Sequence, residues 1–305
     1  MRIRKMGKRY FITGGTGTLG KELVKQLYPY ADRIVVYSRD EAKQAAMMET
    51  YPEGGADGPL RYRIGDVRDY DRLKQAMEDC DTVIHTAAMK RIDTCEYNIF
   101  EAIKTNVEGS LNVVKAANSL GYEKAVLIST DKACNSCSTY GTTKAMAEKI
   151  FSNANNYGSC CSYSVRYGNV QGSRGAVHNI WKEAAANGNP INLTHPDMTR
   201  WFWSITEAAM FVLETLPNAG RGVIYVPKMQ AYKLYDLAAK FSNNINITGL
   251  RCSEKLHEEM VSVTEATNTY ETSQWYAIHP IQVDYATTNP RGILVPAGFT
   301  LTSNM

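Results

Sequence analysis

The run STDKACNSCSTYGTTK, Ser129 to Lys144, holds an acid, a phenol and two lysines. Tyr140 and Lys144 stand four residues apart, so on a helix they share one face. A tyrosine can take the proton of a substrate hydroxyl while hydride leaves the same carbon, provided a nearby ammonium lowers the cost of the phenolate. Thr130, or Ser129 beside it, can hold that hydroxyl. Hydride transfer needs no more than this. Asp131 and Lys132 add a second acid and base, which read either as a further proton-transfer pair or as a surface ion pair worth little.

A site for the hydride carrier stands upstream. In TGGTGTLG, Gly14, Gly17 and Gly20 follow an apolar run and open a helical pattern, with Thr16, Thr18 and Leu19 between them. Side chains at the glycine positions would block the turn and the approach of backbone N–H groups to a pyrophosphate. At the end of the second strand an NAD site would favour an acid, but Arg39 stands nineteen residues after Gly20 and Lys43 one turn farther on. The basic pair predicts NADP. Asp40 is the rival, as a helix cap or a contact to a hydroxyl. Asp66, followed by Val67, either accepts from an adenine amine or caps a helix, and Ala87 and Ala88 are small enough to admit backbone to the cofactor. Lys90 faces a phosphate or the substrate, and His85, inside an apolar strand, reads as a satisfied core histidine.

These groups cooperate only if the fold brings them together. The chain has 305 residues, 44% hydrophobic and 21% charged, which is the balance of a globular protein and excludes a disordered or fibrous one. Apolar runs such as RYFITGG, RIVVYS, LRYRIGDV, DTVIHTAA, KAVLIST and CSYSVRY alternate with helical patterns of ten or more residues. That alternation predicts an α/β fold, a Rossmann-type doubly wound parallel sheet with helices on both faces. Residues 1–168 are read as the dinucleotide-binding core and 169–305 mainly as a smaller C-terminal substrate-binding lobe, with about 204–228 returning to the core. LYDLAAKF and the stretch around SEKLHEEM are predicted as helices of that lobe.

Charge and cysteine usage remove other classes. The net charge of +3 comes from 34 basic and 31 acidic residues mixed along the chain, and the basic cluster MRIRKMGKR reads as a solvated tail, so no nucleic-acid partner is expected. No run approaches 18 apolar residues and no apolar targeting segment opens the sequence, so neither membrane spanning nor secretion is expected. Of seven cysteines, Cys134 and Cys137 have C-x-x-C spacing, but no second pair completes a zinc site, and reduced cytoplasmic thiols are expected. His257 and Glu258 do not belong to an H-E-x-x-H zinc motif, since Val261 stands where its second histidine would be.

Gly14 to Gly20, Tyr140 and Lys144 resemble the extended short-chain dehydrogenase/reductase family. The segments AAMKRID, KTNVEGSLNVVKAA, STDKA with YGTTKA, VRYGNVQGSRGAV, MTRWFW and EKLHE resemble its inverting UDP-N-acetylglucosamine 4,6-dehydratases, over about Lys8 to Pro280. The resemblance implies that Tyr140 and Lys144 serve oxidation at C4 of the sugar. It further implies that Lys132 abstracts the C5 proton and that Asp131 protonates the departing C6 hydroxyl. Hydride then returns to C6, and C5 is reprotonated on the opposite face. A UDP-sugar 4-epimerase and a retaining dehydratase are the alternatives. The first has no need of the Asp131/Lys132 pair, and the second typically carries Asp-Glu there. A homo-oligomer, dimer or hexamer, is implied in the same way.

For the nucleotide sugar, Asn169, Arg174 and Arg200 are candidates because amide and guanidinium groups match hydroxyl and phosphate oxygens, with Thr199 beside Arg200. Arg251, Glu254 and Glu258 complete the set, Glu258 bonding either a sugar hydroxyl or Lys255. Trp201 to Trp203 read as packing of the lobe. Two segments depart from the family pattern: CNSCSTYG stands where Asn-Pro-x-Asn is usual, and RCSEKLHEE lacks the usual Pro-Gly after Arg251. The thiols are not required for the chemistry.

Overall fold

A computed structural model describes residues 9–51, 58–172, 177–281 and 290–304. Its strands are β1 (Arg9–Thr13), β2 (Arg33–Ser38), β3 (Leu60–Ile64), β4 (Thr82–His85), β5 (Lys124–Ile128), β6 (Cys161–Val165), β7 (Asn169–Val170), β8 (Ile191–Leu193) and β9 (Thr199–Trp203). They continue with β10 (Ile224–Pro227), β11 (Ala231–Lys233), β12 (Ile245–Ile247), β13 (Glu259–Val261), β14 (Thr269–Glu271), β15 (Trp275–Ile278), β16 (Ile293–Leu294) and β17 (Leu301–Thr302). The helices are α1 (Thr18–Leu27), α2 (Glu41–Thr50), α3 (Tyr70–Met77), α4 (Ile92–Tyr97), α5 (Ile99–Ala102), α6 (Gly109–Ser119), α7 (Thr139–Asn153), α8 (Val177–Ala186), α9 (Ile205–Thr215), α10 (Leu234–Ala239) and α11 (Val263–Ala266).

The main sheet runs β16-β14-β15-β10-β6-β5-β4-β1-β2-β3. From β3 to β10 every neighbouring pair is parallel, whereas β15, β14 and β16 add on antiparallel. The expected doubly wound α/β sheet is therefore present, and its order reverses between β1 and β4, where such sheets hold ligands at their carboxyl ends. Strand residues alternate between two apolar layers: Tyr10 and Ile12 pack with Leu23, Val24 and Val212, while Phe11 packs with Leu73, Val113 and Phe151. Covering both faces explains why the strands read as continuous apolar runs.

Beyond β6 the chain alternates between lobe and core. Trp181, Ile191, Leu193, Met198, Phe202 and Leu237 form the core of the smaller lobe. β10 rejoins the sheet inside the 204–228 segment, and β14, β15 and β16 also join it, beyond that segment. These strands are two to four residues long, so their periodicity is too short to read. The stretch around SEKLHEEM, predicted as a helix, is instead a turn leading into β13. Arg200 explains the departure: its Nη1 and Nη2 donate to the carbonyls of Leu256 (3.0 Å) and Lys255 (2.8 Å), which a helix would engage internally. α5 and α6 are joined by a π-helical turn over Ile103–Glu108.

Core and lobe are tied by one buried arginine. Arg166, just past β6, donates from Nε and Nη2 to both oxygens of Glu148 on α7 (2.9 and 2.6 Å) and from Nη1 and Nη2 to both oxygens of Glu265 on α11 (3.0 and 2.8 Å). Its Nη1 also reaches the Met260 carbonyl at 2.9 Å. Burial alone would raise the Glu265 carboxyl, but Arg166 prevails and pushes it down to about 2. Replacing Arg166 by Ala strands two carboxylates and is expected to cost about 3–5 kcal/mol in urea unfolding. Because Glu265 is depressed, its share of that advantage holds above its ordinary value of 4.5 and fades as pH falls toward 2. An unchanged midpoint at neutral pH would show that the tie contributes nothing.

Candidate active site

A cleft of about 1210 Å³ opens at the carboxyl ends of the parallel strands, between core and lobe. At its nucleotide end Gly14 has φ of +64° and lies so near the next strand's loop that a Cβ would come within 2.9 Å of the Ala87 backbone. The turn therefore needs glycine both for conformation and for approach. Gly17 is the N-cap of α1 with no side-chain cap, which leaves the helix's first N–H groups for a ligand. Thr16, Thr18, Leu19, Val67, Ala87 and Ala88 line the same end, and Gly20 is buried within α1. These features fit a dinucleotide pyrophosphate.

Arg39 and Lys43 also line the cleft. The Arg39 side chain is 61% exposed and lies 3.5 Å from Asp66. Asp40 caps α2 through the Lys43 N–H (3.0 Å) and pairs with the Lys43 ammonium. Asp66 caps nothing: Asp69 caps α3, while Asp66 accepts from Arg68 Nε and Nη2 at 2.9 and 2.6 Å. His85 is a satisfied core group, bonded to Thr13 Oγ1 (2.7 Å) and Ser110 Oγ (3.2 Å), and burial pushes it down to about 3.

At the chemical end, α7 presents Tyr140 and Lys144 to the cleft. Ser138 caps the helix through the Gly141 N–H (3.1 Å), and Glu96 accepts from the N–H and hydroxyl of Thr139 (2.7 and 2.6 Å). At Gly141 a Cβ would collide with the Lys132 carbonyl, so glycine lets the catalytic helix close on the Asp131–Ala133 turn. Burial pushes the Tyr140 phenol up to about 12, opposed by the Lys132 charge and a hydrogen bond with Thr130. Burial pushes Lys144 down to about 8, with Glu148 pulling the other way.

Lys132 does not form a surface ion pair. Its Nζ lies 3.0 Å from Asp131 Oδ1 and 3.1 Å from Glu258 Oε1, and both carboxylates are almost wholly buried. Thr130 Oγ1 donates to Asp131 Oδ1 at 2.9 Å. Burial favours the neutral form of Lys132, but the two anions outweigh it and raise the group above its ordinary range. Burial raises Asp131, against the pull of Lys132.

Lys90, Asn169, Arg200, Arg251, Glu254 and Glu258 line the cleft. Arg174 lies outside the described residues. Thr199 is not on the cleft wall, and its hydroxyl meets His257 Nδ1 and Ser303 Oγ, each at 2.8 Å. Arg200 is committed to backbone carbonyls and faces Glu258 with Nε at 3.6 Å. Trp201 and Phe202 are buried, and Trp203 packs on Tyr167 and Phe211.

The sequence reading missed two positioning roles. Asn106, in the π turn, accepts from the Met89 N–H (2.8 Å) and donates to the Met89 carbonyl (2.9 Å) and to Thr143 Oγ1 (3.0 Å), fastening the Ala87–Lys90 loop to α7. A buried polar side chain within an apolar helical face was its signal. The contact of Glu258 with Lys132, across 126 positions, left none.

Residues 10–280 match the polysaccharide biosynthesis protein family. The chain is 43% identical over 282 residues to the inverting UDP-N-acetylglucosamine 4,6-dehydratase of Campylobacter jejuni strain 81-176, covering 90% of this chain and 83% of that one. It is 33% identical to the UDP-glucose 4-epimerase of Rickettsia conorii, over 89% and 82% of the two chains. The X-ray structure of Pen from Bacillus thuringiensis superposes with a TM-score of 0.88 at 32% identity, over 98% and 95%. The chain belongs to the polysaccharide biosynthesis protein family, and its motifs and fold are those of an extended short-chain dehydrogenase/reductase.

The cysteine loop separates two kinds of thiol. Cys134 is buried, donates to Glu265 Oε2 at 3.5 Å, and is pushed up chiefly by burial. Cys137 is exposed at the cleft edge, donating to the Ser253 carbonyl at 3.3 Å, and Cys252 is exposed beside it in sequence. Thiol titration of the folded protein should find Cys137 and Cys252 reacting fast and Cys134 only on unfolding. Equal rates for Cys134 and Cys137, read by mass spectrometry of labelled peptides, would contradict this packing.

Proposed function

We propose that this protein is an NADP-dependent nucleotide-sugar 4,6-dehydratase that inverts C5, converting UDP-N-acetylglucosamine or a similar nucleotide sugar to a UDP-2-acetamido-2,6-dideoxy-β-L-arabino-hex-4-ulose. The observation that carries this reading is the Lys132–Asp131 pair, its carboxylate buried and its lysine 19% exposed, in the cleft that also holds Tyr140 and Lys144. The name of the 43% identical relative supports it. A 4-epimerase would oxidise and reduce C4 alone and leave that pair without a task, and a retaining enzyme would be expected to carry Asp-Glu in its place.

A nicotinamide dinucleotide held at Gly14, Gly17 and the N-terminus of α1 would supply the hydride acceptor for oxidation at C4 and the hydride donor for reduction at C6. Tyr140 takes the C4 hydroxyl proton, with Thr130 beside the phenol and the Lys132 charge favouring the phenolate, and Lys144, one turn along α7, is the second cation assigned to this step. The ketone then acidifies C5–H. Lys132 can remove that proton only as the amine, and its 3.0 Å contact with Asp131 Oδ1 is the route by which its extra proton leaves. The C5–H bond breaks toward Lys132, its electron pair forms the C5=C6 bond, and the C6–O bond breaks as Asp131 gives its proton to the departing hydroxyl. Water is the product of that step, and C5 is later reprotonated on the opposite face.

Arg39 and Lys43 support NADP over NAD, since both can meet a 2′-phosphate. Reduced cytoplasmic thiols fit the free cysteines, and no helix among the described residues is long and apolar enough to cross a membrane. Self-association as a dimer or hexamer belongs to the same proposal, and Tyr97 and Phe100, 90% and 80% exposed, offer apolar surface for it.

Incubation with UDP-N-acetylglucosamine followed by NMR should show loss of the C6 hydroxyl and inversion at C5; a C4 epimer with C6 intact would overturn the dehydratase reading. Tyr140→Phe should abolish both transient cofactor reduction and deuterium entry at C5 from heavy water. Lys132→Ala should retain cofactor reduction while losing deuterium entry by about 10²–10⁴. Label entering K132A at the parental rate would remove Lys132 as the base. In calorimetric titration the parent should prefer NADP, and Arg39→Ala should erase about tenfold or more of that preference; equal affinities in the parent would reject it.

A further inference from the structure

Lys132 is held from two directions. Asp131 belongs to its own turn, whereas Glu258 comes from the lobe, just before β13, and is 3% exposed. The Glu258 main chain is fixed: its N–H donates to Ser303 Oγ and its carbonyl accepts from the Ser303 N–H, both at 2.9 Å. Opposite stands Arg200, whose Nη1 donates to the carbonyls of Thr199 and Leu256 (2.7 and 3.0 Å) and whose Nη2 donates to that of Lys255 (2.8 Å). So fastened, Arg200 cannot swing toward a ligand, and its Nε lies 3.6 Å from the same Glu258 oxygen that meets Lys132.

Charge counting shows what this arrangement does. With all four groups ionised the cluster is neutral. When Lys132 passes a proton to Asp131, that pair becomes neutral, and Glu258 would be left a buried anion without a counter-charge were Arg200 not beside it. Isolated buried charges are costly, so Arg200 makes the exchange electrostatically possible. Conversely, without Glu258 the buried Arg200 guanidinium would keep only Glu254, 3.9 Å from its Nη2, and would lose the anion that separates it from the lysine ammonium.

We propose that Glu258 is a positioning residue for Lys132: kept ionised by Arg200, it accepts one N–H of the lysine in both its charged and neutral states, so that the nitrogen stays in place and the proton it releases goes to Asp131. The inference rests on reading Lys132 as the base. Burial pushes Glu258 toward the neutral form, but Lys132 and then Arg200 outweigh it and hold the carboxyl below its ordinary range, whereas Asp131 is raised. Of the two carboxylates flanking the lysine, Asp131 is thus the one that takes a proton. Glu258 Oε2 and Asp131 Oδ2 are both buried without a hydrogen-bond partner among the described residues, so each retains an acceptor for a substrate hydroxyl or a transferred proton.

The groups that set the Lys132 charge are Asp131 on its own turn, Tyr140 on α7, and Glu258 and Arg200 from the lobe, with Lys255 acting on Glu258 and Glu254 lying 3.9 Å from Arg200. Glu258→Gln removes an anion from Lys132, so the lysine should release its proton at lower pH. NMR of protein carrying ε-¹³C-lysine, assigned with Lys132→Arg, should show its titration midpoint falling by about one unit or more in E258Q. This arm needs no substrate.

In the second arm, E258Q should lose about tenfold or more in deuterium entry at C5 while transient cofactor reduction stays within about threefold, and Glu258→Asp should recover part of the loss. An unchanged Lys132 midpoint in folded E258Q and in E258D would overturn the proposal. So would equal losses of cofactor reduction and deuterium entry, the mark of a merely structural role. If the parent itself exchanges no deuterium at C5, the dehydratase reading fails, and the titration alone decides whether Glu258 governs the lysine: an unchanged midpoint rejects that role and a fallen one supports it.

Discussion

An ammonium drawn out of water is costly unless anions stand beside it. Lys132 lies between Asp131 and Glu258, one carboxylate supplied by the core and the other by the lobe. Each part is neutral by itself, Asp131 with Lys132 in the core and Glu258 with Arg200 in the lobe, but Lys132 meets both carboxylates only where the two parts come together. Arg166 makes a second crossing of the same kind, joining Glu148 on α7 to Glu265 in the C-terminal segment. Apolar packing crosses the same boundary: Trp201, Met260 and Val261 cluster with Val226 and Ile278 of the main sheet, while Trp181 and Phe202 belong to a separate cluster within the lobe.

The parallel sheet explains why such contacts gather at one end. Every strand from β3 to β10 runs the same way, so the loops after β1, β2, β4 and β5 all emerge at their carboxyl ends. The glycine turn, Arg39, the Ala87–Lys90 loop and the Thr130–Lys132 turn are those loops. Asn106 then fixes two of the parts to each other, bonding Met89 on one side and Thr143 on the other. A π turn at this point places that side chain inward without ending the helix.

What was legible in the sequence was local. The glycine turn needs contiguous residues, the Tyr140–Lys144 face needs only a spacing of four, and apolar alternation is enough to reveal a doubly wound sheet. What was not legible was non-local or too short. Glu258 and Lys132 meet through folding, and nothing near Glu258 marks a lysine as its partner. SEKLHEEM has a helix-forming composition, but Arg200 takes the Lys255 and Leu256 carbonyls, and tertiary hydrogen bonds override the propensity. β14 to β16 carry two to four residues each, below the length at which a period of two can be told from chance.

The two lysines of the opening motif show how environment divides labour between identical side chains. Lys144 and Lys132 share a cleft and are both removed from water, yet one is pushed down to about 8 and the other is raised. Glu148 lies one turn beyond Lys144, where it could have held that ammonium firmly, but both of its oxygens are engaged by Arg166. Desolvation therefore dominates at Lys144. At Lys132 two anions outweigh desolvation. Arg166 and Arg200, neither needed at the reacting atoms, are thus what separates the lysines: the first removes an anion from Lys144, and the second keeps an anion beside Lys132 ionised.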